Sequence, residues 1–135
     1  MITSTANQKV KRLVTLKKKR KARDEEQIFL AEGLRMFREV PGDMLRELYV
    51  SEAFYEKERE LVDRKAGEAG VFPEVFSEQV FSHVSDTRTP QGVLCVVRRR
   101  EEMSCEELLR PDQEGRKPLL MVLDNLQDPG NLGTI

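Results

Sequence analysis

The stretch Ser85-Asp86-Thr87-Arg88-Thr89-Pro90-Gln91-Gly92-Val93-Leu94-Cys95-Val96-Val97 decides how this chain folds. Ser85 to Gly92 is polar, with turn-forming residues at both ends. Val93 to Val97 is unbroken and apolar, and Arg98-Arg99-Arg100 ends it abruptly. A strand that does not alternate apolar with polar is one buried on both faces, as in a sheet with helices on either side.

Working toward the N-terminus, the pattern alternates. Ser77 reads as an N-cap, and Val80, Phe81 and Val84 form the apolar stripe of a helical turn. Val71-Phe72 and Val75-Phe76, on either side of Pro73, form a short extended stretch. Glu52 to Ala69 is a long charged helix with Phe54, Leu61 and Val62 as its apolar points. Leu45 to Ser51 reads as a strand with Leu48 and Val50 on one face. A helix before it places Leu34, Phe37 and Val40 inward and stops at Pro41-Gly42. Ile28-Phe29-Leu30-Ala31, ending at Glu32-Gly33, reads as a buried strand. Thr3, Ser4, Thr5 and Asn7 are candidate N-caps for a first helix in which Val10, Leu13, Val14 and the stem of Lys17 share a face. Strands alternating with helices through residue 97 predict a layered α/β domain with a largely parallel sheet.

Beyond Arg100 the character changes. Residues 101–117 are polar, with one helical piece from Ser104 to Leu109, and read as a linker. Leu119-Leu120-Met121-Val122-Leu123 reads as a new strand, and Asp128-Pro129-Gly130 as the turn leaving it. A buried parallel strand needs neighbours, so residues 118–135 are expected to be the first fragment of a second domain.

Composition narrows the function. The 135 residues are 39% hydrophobic and 35% charged, which suits a soluble domain with one modest core. No apolar run is long enough for a membrane span, and the first residues lack a secretory signal, so the expected location is cytoplasmic. Cys95 and Cys105, with a single histidine, make neither a zinc site nor a disulfide framework; they read as a core and a linker residue. Aromatic residues are scarce, with six Phe, two Tyr and no Trp, which argues against a surface built mainly on base stacking. The net charge of −1 conceals a segregation: nine Lys or Arg and no acid fall in residues 1–23, and the remainder carries −10. A basic end on an acidic body reads either as a polyanion contact or as a solvated helix face.

Several strings resemble one family. Asp124-Asn125-Leu126-Gln127-Asp128-Pro129-Gly130-Asn131-Leu132-Gly133-Thr134-Ile135 resembles the first motif of the SpoU (TrmH-type) RNA ribose 2′-O-methyltransferases of the SPOUT superfamily. Ser85 to Val93 resembles the signature closing those enzymes' N-terminal substrate-binding domain. Phe29-Leu30-Ala31-Glu32-Gly33-Leu34-Arg35 resembles an internal element of that domain, and Asn7-Gln8-Lys9-Val10-Lys11 its opening helix. The resemblance implies residues 1–100 as an L30e-like three-layer α/β/α sandwich with a mostly parallel mixed sheet. A linker at 101–117 and one strand of a truncated trefoil-knot domain at 118–135 would follow.

The resemblance also implies the chemistry of the parent enzyme. It would use S-adenosylmethionine to methylate a ribose 2′-hydroxyl of RNA, ribosomal more than transfer, as a homodimer. The family's catalytic arginine would fall two positions beyond Ile135, so Asn131 keeps only a supporting role. The chain itself is therefore expected to be an inactive, monomeric or weakly self-associating RNA binder without cofactor or metal. The expected contacts are Lys9, Lys11, Arg12, Lys17, Lys18, Lys19, Arg20 and Lys21, with Arg35 and Arg88 beside turn segments. Glu32 is expected to act structurally, and Thr87, Thr89 and Gln91 to fix their own turn. A stand-alone L30e-like module and a protein-interaction domain are the rival readings.

Overall fold

The computed structural model describes residues 1–134 and divides into two units, Met1–Arg100 and Glu101–Ile135. In the first unit the order is α1 (Gln8–Lys18), α2 (Arg20–Glu26), β1 (Ile28–Glu32), α3 (Leu34–Glu39), β2 (Leu45–Ser51), α4 (Glu52–Ala69), β3 (Pro73–Phe76), α5 (Glu78–Val84) and β4 (Val93–Arg98). Local chemistry sets the boundaries. Asn7, Ser51 and Ser77 cap α1, α4 and α5 with side-chain oxygens that accept the N–H of Lys9, Phe54 and Val80. Gly70, at φ +67°, ends α4 in the left-handed conformation that glycine adopts without a Cβ penalty.

The sheet order is β1-β4-β2-β3. β4 runs antiparallel to both β1 and β2, and only β2 and β3 are parallel. This corrects the expectation of a mostly parallel sheet, and the point where the chain re-enters explains it. β3 finishes beside the end of β2, with Phe76 opposite Ser51. After α5 the 85–92 turn brings the chain back to that same end, where Ser51 N–H donates to Gly92 O at 2.8 Å and Val93 lies opposite Val50. β4 therefore starts where β2 and β3 finish and runs the other way. An apolar run covered on both faces reads alike in either direction.

Side chains of β4 alternate between two cores. Val93, Cys95 and Val97 join Phe37, Val40, Phe54, Val62 and Ala66 beneath α3 and α4. Leu94 and Val96 join Val10, Leu13, Leu16, Val80, Phe81 and Val84 beneath α1 and α5. Each buried side chain of this kind contributes about 1.5–3 kcal/mol relative to exposure. Burial pushes the Cys95 thiol up to about 12. The helix α2 was not expected from the sequence; Arg20 with Asp24 and Lys21 with Glu25 support it at i, i+4 spacing.

The second unit holds α6 (Cys105–Leu108), closed by a reciprocal capping box between Ser104 and Glu107, and α7 (Pro129–Thr134). Leu119 to Leu123, expected to be a strand, carries no regular structure. A strand needs a neighbour, and no other extended partner exists among the described residues of this unit. Asp128 and Gly130, expected in a strand-exit turn, instead open α7: Asp128 Oδ1 accepts the Gly130 N–H at 2.8 Å. Ile135 lies outside the described residues.

Candidate nucleic-acid interface

The site forms where β1 ends and β4 begins. Gly33 donates its N–H to Val93 O at 3.0 Å and takes φ +99°. A Cβ there would lie 3.0 Å from Gln91 Oε1. That same oxygen accepts the Leu34 N–H at 2.8 Å and so caps α3 from 57 residues away. Gln91 therefore organises a neighbouring helix, not its own turn as expected.

Glu32 ties the polar turn to the sheet. Its Oε1 accepts the hydroxyls of Ser85 and, at 2.9 Å, Thr87, while Oε2 accepts the Asp86 N–H at 3.0 Å. Thr87 thus bonds across to β1 as well as to Ser85 Oγ. Beneath, Gly92 adopts φ +84°, where a Cβ would come within 2.6 Å of Phe54 Cβ and 2.7 Å of Ser51 Oγ. Against this scaffold a cavity of about 300 Å³ opens, lined by Glu32, Gly33, Arg35, Met36, Thr87, Thr89 and Gln91.

The basic segment divides into three groups. Lys9 pairs with Glu74, and Arg12 with Glu26 and, through two bonds of 2.8 and 2.7 Å, with Glu47. These two expected contacts are turned onto acids of the body. Lys17 donates to Ser85 O and lies 3.4 Å from Asp86, which brings the end of α1 to the 85–92 turn. Arg20 and Lys21 make only exposed pairs with Asp24 and Glu25, of the kind that holds a cation loosely. Lys11, Lys18, Lys19, Arg35 and Arg88 are exposed and make no ion pair among the described residues. Asn131 lies exposed on α7, in the second unit.

Sequence reasoning missed three groups. Arg23 donates to Leu16 O at 2.5 Å and Lys17 O at 3.0 Å, closing the carbonyl end of α1. Arg99 lies 2.6 Å from Asp24 and holds that carboxyl below the usual carboxylate range. Arg98 and Arg100 stay exposed beside it. The triple arginine was the available signal for these, read only as a strand end.

A family model described as the MRM3-like substrate binding domain matches residues 7–95. The chain belongs to this family. The MRM3-like chain is similar to the 23S rRNA (guanosine(2553)-2′-O)-methyltransferase RlmP of Bacillus subtilis (strain 168), at 35% identity, covering 99% of this chain and 48% of that protein. It is also similar to the mitochondrial rRNA methyltransferase 3 of Xenopus laevis, at 29% identity over 96% of this chain and 30% of that protein. Among solved structures, an RNA 2′-O ribose methyltransferase superposes with a TM-score of 0.63 at 33% identity, over 98% of this chain and 48% of the other. The AdoMet-bound rRNA methyltransferase from Sinorhizobium meliloti gives 0.61 at 27% identity, over 75% of this chain and 37% of the other. The α/β fold with its four-stranded mixed sheet matches the N-terminal domain of such methyltransferases. The chain spans about half the length of these relatives, or less.

One of those neighbours carries AdoMet, so the fit of the present residues to that group matters. Side chains in 119–128 and 130–134 are exposed. They enclose no group, and no step of methyl transfer is assigned to them. No helix among the described residues is long and apolar enough to cross a membrane.

Proposed function

We propose that residues 1–100 grip RNA as the substrate-binding domain of an S-adenosylmethionine-dependent RNA 2′-O-methyltransferase, and that ribosomal RNA is the substrate. One observation carries the reading. Lys17 is fastened to the 85–92 turn, so the exposed Lys18 and Lys19 that follow it are brought to the turn that carries the exposed Arg88. Phosphate contacts from Lys11, Lys18, Lys19, Arg20, Lys21, Arg35 and Arg88 position the RNA there; Lys9 and Arg12 mainly hold α1 to the body. Recognition is of backbone and shape, which suits a folded RNA.

The chain alone binds without reacting. Residues 118–135 begin the catalytic domain, in which the parent enzyme binds its cofactor and forms its homodimer. Asn131 supports catalysis only in that setting, and the fragment stays monomeric or weakly associated. The cytoplasm, or the organelle matrix for the relatives named as mitochondrial, is the compartment that holds such an RNA.

Binding of the chain to fragments of ribosomal RNA and to transfer RNA at low salt tests the reading. Tighter binding to one ribosomal fragment than to any transfer RNA supports it. Binding to no structured RNA would favour the protein-interaction rival.

A further inference from the structure

Resting on the RNA reading above, the geometry points to a second feature of the same domain: a pocket on the open edge of β1 that takes one unstacked nucleobase of the bound RNA.

The sheet ends at β1. Toward β4, Gly33 N–H donates to Val93 O and Arg99 N–H to Gln27 O. In an antiparallel ladder the bonded pairs alternate, so residues 27, 29, 31 and 33 address β4. The backbone groups of Ile28, Leu30 and Glu32 point the other way. Leu30, opposite Val96 in a non-bonded pair of this ladder, thus turns its N–H and C=O away from β4.

That edge is not open to a flat solvent face. It borders a cavity of about 420 Å³ lined by Lys17, Arg23, Phe29, Leu30, Glu32, Val84, Asp86, Thr87 and Leu94. The volume holds a nucleobase. Leu30 is half-buried on the same face of the sheet as Val84 and Leu94, so it offers an apolar wall without being sealed in the core, whereas the Phe29 side chain packs on the opposite face. A base lying against that wall presents donors and acceptors on its edge, which match the N–H and C=O of Leu30. Lys17 and Arg23 at the rim are held by Ser85 O, Asp86 and the last carbonyls of α1, and the exposed Lys18 and Lys19 that follow meet the flanking phosphates.

Pulling a base out of its stack costs least where the RNA is already unpaired, so the occupant is a loop or bulge nucleotide. The scarcity of aromatic residues fits one such pocket rather than a stacking platform. Glu32 is not the reader: its carboxylate is committed to Ser85, Asp86 and Thr87 and forms the closed end.

The test uses the whole chain and a ribosomal RNA hairpin that it binds, with the unpaired nucleotides replaced one at a time by abasic ribose. Every phosphate is retained. The expectation is that one replacement lowers affinity about tenfold, toward the lower end of the range for loss of a single base contact, and leaves the salt dependence unchanged. The amide signals of Leu30 and Thr87 then shift with the intact hairpin and not with that abasic one. Leu30→Ala is expected to make the intact and abasic hairpins bind alike; the abasic series judges the pocket even if this variant is unstable. Equal affinity for all the abasic hairpins, with RNA binding intact, overturns the pocket alone. Failure of the chain to bind any hairpin at low salt overturns the RNA reading and the pocket with it.

Discussion

Thr87 donates its hydroxyl to Glu32 at 2.9 Å, joining two residues 55 positions apart at the end of β1. With Ser85 and the Asp86 N–H on the same carboxylate, one side chain fixes the turn that precedes β4. Glu32→Ala leaves the Asp86 N–H and two hydroxyls without their partner, a loss of about 1–3 kcal/mol. For a domain of this size a 1 kcal/mol loss lowers Tm by about 4–8 °C. Calorimetry on Glu32→Ala and Glu32→Gln checks it, with Gln retaining part of the stability. An unchanged Tm for Ala would mean that the turn is held by other contacts.

Two glycines with positive φ separate crowding from backbone strain. At Gly92 a Cβ would collide with Phe54 and Ser51, whereas at Gly70 nothing lies within 4 Å. Gly70→Ala is expected to cost about 1 kcal/mol, from the left-handed conformation alone. Gly92→Ala adds an overpacking cost of about 1–3 kcal/mol. Denaturant titrations of the two variants should therefore differ clearly; equal midpoints would contradict the close approach of Phe54 to Gly92.

Burial raises the Cys95 thiol to about 12 from an ordinary value of 9.0, while Cys105 is exposed. Near neutral pH an alkylating reagent should modify Cys105 and leave Cys95 untouched until the protein unfolds. The sign of the linkage follows. The folded state keeps its proton longer, so this contribution is fully present below pH 9.0 and is lost as pH rises toward 12. Stability should fall there by about 1.4 kcal/mol per pH unit from this group. Cys95→Ala, less stable at neutral pH, should lack that component of the alkaline slope; an identical slope would refute the assignment.

Much of the fold was legible because its signals are local. Ser51 and Gly70 bracket α4, Ser77 caps α5, and the apolar run at Val93 to Val97 is buried on both faces. The direction of β4 was not legible, since it depends on the 85–92 turn returning the chain to the Ser51 end of the sheet rather than on which residues are apolar. α2 was hidden because its support is charged, and a run of lysines and arginines signals solvent before it signals helix. Leu119 to Leu123 has strand-forming residues and no partner, and a strand is a property of pairs. At the candidate site the residue types were visible but their engagements were not. Lys9 and Arg12 look free in sequence, yet Glu74, Glu26 and Glu47 arrive from distant segments to meet them.

Affinity for a ribosomal RNA fragment, measured against salt concentration for the native chain and for the triple variant Lys18→Glu, Lys19→Glu, Arg20→Glu, bears most directly on the central claim. Each phosphate neutralised adds roughly 0.7–0.9 to the slope of log affinity on log salt for nucleic acids. A footprint of about four to six contacts in the native chain, reduced by about two or three in the variant with a matching loss of affinity, is the predicted result. An affinity and a slope unmoved by reversing these three charges would show the basic α1–α2 segment to be a solvated face and contradict the account.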